Sequence, residues 1–331
     1  MKIMKGRNNF ILKVKNLEVT FEPNLRALRG INLNVRWGEI HGLVGESGSG
    51  KSVTSMTIMG LLQTPPAHIN SGEIIFNGSS LLSLTPEEMR LKRGKELAIV
   101  FQEPSKYLNP SLKIGEQIGE TLRLHLNMRR EESQKQTLKL LKLVGLPGEE
   151  RILSSYPHEL SGGMKQRALI AMAISCNPLF LIADEPTTAL DVTLQLQILK
   201  LIGELKNSLN MSVLFISHDL AVIREIADTV SIIYAGKIVE CGNVEAIFNN
   251  PLHPYTRLLL LSIPDPSKRG KRLKSIPGKV PSADSIPPGC AFHTRCPIAK
   301  GICREVEPRL KEVKQNHTVA CHFPGKIVEG V

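Results

Sequence analysis

An α/β fold with strands buried inside a sheet is predicted, and three segments predict it. Leu179–Ala183 is a continuous apolar run, the pattern of a strand covered on both faces, and Val213–Ser217 reads as the next buried strand. Leu194–Leu209, between them, has helical periodicity. Ile40–Val44 is a third apolar strand, and Lys51–Leu62 after it reads as a helix. Strands alternating with helices build a layered α/β core.

The rest of the chain is placed around that core. Residues 11–46 read as short strands, because Leu17, Val19 and Phe21 alternate with polar residues, as do Ile31, Leu33 and Val35. Pro65-Pro66 breaks the pattern. Glu73–Phe76 reads as another strand, closed by Asn77-Gly78. From Pro86 to Ser175 helical periodicity dominates, with Leu138, Leu141 and Val144 on one face of Arg130–Val144. This stretch reads as a helical insertion. After Asn250 the composition shifts. Pro264–Gly289 reads as a long loop, and the basic run Lys268, Arg269, Lys271, Arg272, Lys274 inside it reads as a solvated linker.

The 331 residues carry a formal charge of +11, which suits anionic partners: nucleotides, nucleic acid or an anionic lipid surface. No apolar run approaches the roughly 20 residues needed to span a bilayer. Met1–Asn16 is basic but lacks the apolar stretch of a signal peptide. A cytosolic chain with a peripheral membrane role is expected.

Gly45-Glu46-Ser47-Gly48-Ser49-Gly50-Lys51-Ser52 matches G-x-x-x-x-G-K-[ST] between a strand and a helix. Such a loop turns its backbone N–H groups toward phosphate oxygens. Lys51 neutralises the β- and γ-phosphates, the Ser52 hydroxyl ligates Mg²⁺, and the helix start adds its positive end. ATP and Mg²⁺ are the expected ligands. The strand Leu179–Ala183 ends in Asp184-Glu185. Two acids after a strand are ordinarily a solvated strand end. Beside a phosphate loop, Asp184 holds Mg²⁺ and Glu185 polarises the attacking water.

At Leu160-Ser-Gly-Gly-Met-Lys-Gln-Arg167 the sequence resembles the signature of the ATP-binding cassette (ABC) ATPases. The resemblance covers roughly residues 11–325. It implies a P-loop cassette: a RecA-like mixed-sheet core, an antiparallel β subdomain and an α-helical subdomain. The cassette would span 11–250 with its helical subdomain at about 88–175, and a small C-terminal metal-binding extension would span 251–331. It also implies roles. Phe21 would stack on adenine, and Val53 extends the nucleotide loop. Gln102 would sense Mg²⁺ and the γ-phosphate, and His218 would be the switch histidine. Asp191, in Ala189-Leu190-Asp191, would lie in the loop crossing a dimer interface. Ser161, Gly162, Gly163 and Gln166 would face the ATP of a second cassette. The helical insertion would contact a transmembrane permease. Gly45–Val53, Ile182–Asp191 and Asn250–Thr256 resemble the dipeptide and oligopeptide importer subgroup, and Met164 resembles its "D"-type ATPase subunit.

Of six cysteines, Cys176 and Cys241 are isolated and read as buried thiols. Cys290, Cys296, Cys303 and Cys321 are spaced C-x₅-C-x₆-C-x₁₇-C. This lacks the close pairs of zinc fingers and bacterial ferredoxins. By itself it says four-thiolate metal site, iron–sulfur or zinc, with reduced thiols or disulfides as the alternative and His293, His317 and His322 as substitute ligands. Gly289–Pro297 and Thr318–His322 resemble a family extension that holds a four-iron, four-sulfur (4Fe-4S) cluster, which implies a structural pin.

The sequence therefore implies the ATP-hydrolysing subunit of a peptide-class importer on the cytoplasmic face of the cell membrane. Its implied partners are permease subunits, a second identical or homologous cassette and, indirectly, an extracytoplasmic peptide-binding protein, with no nucleic acid expected. Two alternatives stand beside it. One is an importer ATPase for nickel, sugar or another small solute. The other is a soluble ABC ATPase acting on ribosomes or DNA, which usually joins two cassettes or carries long coiled coils.

Overall fold

A computed structural model describes residues 9–188, 190–263 and 275–326. Ala189 and the basic run from Lys268 to Lys274 lie outside the described residues. The chain forms two compact units, residues 1–82 with 216–331, and residues 83–215.

In the first unit, Leu25–Arg36, Phe10–Phe21, Ala67–Phe76 and Ser79–Ser80 form an antiparallel sheet in that order. The short strands expected at the start of the chain are two strands of 12 residues each. Register shifts interrupt their pairing at several points, and the strands pair again beyond each one. The predicted alternation holds, and Leu12, Val14, Leu17, Val19, Ile31, Leu33 and Val35 are all buried. Full burial of each such side chain contributes roughly 2 kcal/mol. Asn77 (φ 47°) and Gly78 (φ 82°) make the two-residue hairpin turn, and both residue types tolerate positive φ.

A second sheet in this unit runs in the order Lys311–Lys314, His317–Val319, Lys237–Asn243, Thr229–Tyr234, Ile40–Val44. Ile40–Val44 is parallel to Thr229–Tyr234, and the other pairs are antiparallel. The helix after Ile40–Val44 is Lys51–Ile58, shorter than its apolar pattern suggests, because Gly60 turns left-handed at φ 60°. The two strands after residue 310 are not evident in the sequence. They form because His317 Nε2 meets Glu240 Oε1 at 2.7 Å with both side chains buried. Glu240 also accepts from the backbone N–H groups of Leu252 and His253. Glu307 pairs with both Arg29 and Lys237. These contacts tie the segment after residue 250 to the sheet, while residues 275–289, the described part of the expected loop, contain no helix or strand.

In the second unit, Phe180–Asp184 and Leu97–Val100 pair in parallel, and the strand Ser212–Ser217 begins in this unit, which ends at Phe215. Leu97–Val100 corrects the helical reading of 86–175. A four-residue apolar run is too short for its periodicity to be read. Helices Ile114–Leu126, Arg130–Leu143 and Gly162–Ile174 follow. The buried face of Arg130–Leu143 is Ser133, Thr137, Leu140 and Leu141, while Leu138 is only half-buried. Among the described residues no helix is long and apolar enough to cross a membrane.

Candidate functional site

The phosphate loop belongs to the first unit. A Cβ on Gly45 would stand 2.3 Å from the Ile233 carbonyl oxygen, so only glycine fits there. Gly50 has φ +107° and a Cβ would meet Leu28 at 2.8 Å. It caps Lys51–Ile58 with no side-chain hydrogen bond, which leaves the first N–H groups of the helix uncapped by any side chain. Ser49 Oγ is buried without a hydrogen-bond partner. Lys51 Nζ donates to the carbonyls of Gly45 (2.8 Å) and Glu46 (3.1 Å). A glycine cradle, an orphaned hydroxyl and an uncapped helix start are the donor set a polyphosphate needs. Phe21 is half-buried at the end of its strand, opposite Leu25 and Ala67. His218 is exposed directly after Ser212–Ser217.

The acids belong to the second unit. Asp184 is 7% exposed at the end of Phe180–Asp184. Glu185 follows at φ 47°, a conformation non-glycine residues rarely adopt and one that clusters at functional sites. The turn aims its carboxylate at two neighbours. Gln102 Nε2 donates to Glu185 Oε2 at 3.3 Å, and Thr188 Oγ1 donates to the same oxygen at 3.0 Å. The predicted pair Gln102 and Glu185 is thus one hydrogen-bonded group, and Thr188 is its unforeseen third member.

Ser161 caps the helix Gly162–Ile174, its Oγ accepting from Met164 N–H. Ser161 and Gly162 are exposed. Gly163 is buried, and a Cβ there would press on Leu194 at 3.2 Å. Gln166, expected to face a second nucleotide with them, is only 1% exposed. Position 166 falls on the buried face with Gly163 and Ile170, and its Nε2 is a buried donor without a hydrogen-bond partner among the described residues. Asp191 caps Val192–Leu209 through Leu194 N–H at 3.0 Å.

Cys290, Cys296, Cys303 and Cys321 line one apolar pocket with His253, His293 and His322. Burial pushes the thiols of Cys290, Cys296 and Cys321 up to about 11. They are neutral at pH 7 unless a bound cation reverses that balance. Among the described residues no three His, Cys, Asp or Glu side chains converge on one ion position. A single-ion zinc site therefore does not fit, and the expected metal-binding extension is not met in that form. The histidines are committed elsewhere: His293 Nδ1 to the Cys290 carbonyl, His322 Nε2 to the Val306 carbonyl, His317 to Glu240. His253 differs. Its Nδ1 accepts from Tyr255 N–H, so Nε2 carries the proton, and this buried donor has no partner. Cys176 is buried as expected, whereas Cys241 is half-buried.

Comparison with known proteins decides the family. Residues 28–188 match the family described as ABC transporter, and residues 239–303 match the oligopeptide/dipeptide transporter C-terminal region. The chain is 47% identical over 325 residues to the probable peptide ABC transporter ATP-binding protein y4tR of Sinorhizobium fredii, covering 97% of each chain. It is 46% identical to the oligopeptide transport ATP-binding protein OppD of Bacillus subtilis, covering 93% of this chain and 87% of that one. The chain belongs to the ABC transporter family of ATP-binding proteins. Its fold agrees. A dimeric ABC cassette, MJ0796, solved in a post-hydrolysis state with ADP and Pi, superposes with a TM-score of 0.63 at 30% identity, covering 70% of this chain and 98% of that one.

Within this ABC ATPase the extension reaches the phosphate loop through residues whose contacts no motif announces. Tyr255 Oη accepts from Glu46 N–H at 3.0 Å. Arg295 forks onto the Glu46 carboxylate, Nη1–Oε1 at 3.2 Å and Nη2–Oε2 at 3.1 Å. Tyr255 sits in the segment Asn250–Thr256 that carries the subgroup resemblance. Arg295 carries no signal beyond its place beside Cys296.

Proposed function

We propose that this ABC ATPase powers a peptide importer, working as one of two cassettes bound to permease subunits on the cytoplasmic face of a membrane. The observation that carries the reading is the match of residues 239–303 to the oligopeptide/dipeptide transporter C-terminal region, together with relatives named as peptide and oligopeptide transport ATP-binding proteins along nearly the whole chain. Gly45–Val53 would seat the phosphates and Phe21 the adenine. Lys51 would neutralise the β- and γ-phosphates. Ser52, Asp184 and Gln102 would hold Mg²⁺. Glu185 would take a proton from the attacking water, oriented by Gln102 and Thr188, with His218 sensing the γ-phosphate. Ser161, Gly162 and Gly163 of one cassette would close over the ATP of the other, and Asp191 would lie at that interface. Closure on binding and reopening on hydrolysis would move the permease.

The chain, tagged and recovered from detergent-solubilised membranes, should bring down permease subunits and a second cassette, identified by mass spectrometry. Recovery with ribosomes or DNA and no permease would sink the reading.

In the extension, Cys290, Cys296, Cys303 and Cys321 would hold a four-iron, four-sulfur cluster. Each thiolate then meets a different iron, so the absence of a single convergence point is no obstacle. The unpartnered His253 Nε2–H, lining the same pocket, suits an occupant rich in sulfur acceptors. Such a cluster supplies covalent pinning to a segment with little core. Anaerobic purification should give about four irons and as many sulfides per chain, and Cys303→Ser should lower both together. Stoichiometric zinc without iron would overturn it.

A further inference from the structure

Glu46 lies inside the phosphate loop, yet a carboxylate there opposes a polyphosphate. The first unit answers that charge from within itself. Arg295 is 4% exposed at its side chain and is held on every side. Its Nε donates to the Pro277 carbonyl at 2.8 Å, and Nη1 also reaches Tyr234 Oη at 3.4 Å. Its guanidinium lies 5.8 Å from the Tyr234 ring centre and 6.0 Å from that of Phe292. Phe292 in turn packs against Tyr234, Tyr255 and His253. The fork onto Glu46 is therefore pre-organised, and a bidentate guanidinium–carboxylate pair of this kind fixes direction as well as charge. Tyr255, buried in the same aromatic cluster, takes up the Glu46 N–H. Both ends of Glu46 are thus set by the C-terminal extension, while the Glu46 carbonyl accepts from Lys51.

We infer that Arg295 and Tyr255 are positioning residues for ATP binding: the extension neutralises Glu46 and holds the phosphate loop in the shape that receives the nucleotide. The inference rests on the reading of Gly45–Ser52 as the ATP site, which Lys51→Met tests separately. It makes the extension part of the nucleotide site's construction, in addition to any role of its cysteines.

The test uses the full chain, MgATP, and steady-state hydrolysis alongside melting temperature. Arg295→Met uncovers the Glu46 charge and should raise the KM for ATP about tenfold with kcat within about twofold. Glu46→Gln combined with Arg295→Met removes the uncovered charge and should bring KM back to within about threefold of wild type. A purely structural arginine would not be rescued by deleting its partner's charge. Tyr255→Phe keeps the aromatic packing and frees only the Glu46 N–H, and should raise KM about threefold. Should Arg295→Met fail to fold, Tyr255→Phe still decides. An unchanged KM in Arg295→Met, a double variant as weak as the single, or a Tyr255→Phe enzyme equal to wild type would each overturn the inference.

Discussion

Glu185→Gln should bind MgATP as tightly as wild type and hydrolyse it about a thousandfold more slowly, within the range a general base supplies. Glutamine has the same shape, and its side-chain oxygen can still accept from Thr188 Oγ1 and Gln102 Nε2, which now meet at Glu185 Oε2. The backbone keeps its left-handed turn at φ 47°. What disappears is the ability to take a proton from water. In MgATP the variant should therefore accumulate as a closed dimer, visible by size-exclusion chromatography with light scattering. Full hydrolysis in the variant would remove Glu185 from the catalytic role.

Lys51→Met should act one step earlier. Lys51 is 6% exposed and its ammonium is bonded to the carbonyls of Gly45 and Glu46. A methionine of similar length keeps the packing and supplies no charge to the phosphates. Losing charge-assisted bonds of this kind costs about 3 kcal/mol, a fall in ATP affinity of more than a hundredfold. Titration calorimetry with MgATP measures it directly. Unaltered affinity would detach the loop from phosphate binding. The two variants separate binding from chemistry, because Lys51→Met removes the first and Glu185→Gln only the second.

Much of the fold was legible because its signals are local. Leu179–Ala183 is apolar throughout and Val213–Ser217 is apolar up to Ile216, and only a buried strand or helix core tolerates that. Asn77-Gly78 carries its own turn chemistry. Leu97–Val100 escaped because four apolar residues inside a helical region show no period. Lys311–Lys314 and His317–Val319 escaped for a different reason. Their residues are largely polar, and they are strands because of Glu240, whose carboxylate lies far away in sequence.

The phosphate loop, the paired acids and the capped signature helix were determined by sequence alone, because each depends on neighbours within a few residues: glycines that must turn, a lysine at fixed reach, a serine one turn from the N–H it caps. Tertiary structure alone decided what surrounds them. The fork of Arg295 on Glu46 spans 249 positions, and the hydroxyl of Tyr255 on Glu46 N–H spans 209. The gathering of four cysteines and an unpartnered His253 around one pocket is likewise a product of the fold. Such contacts leave no periodicity and no spacing rule. They exist because burial makes an unpaired charge or donor costly, and the folded chain meets that cost with whatever group packing brings near.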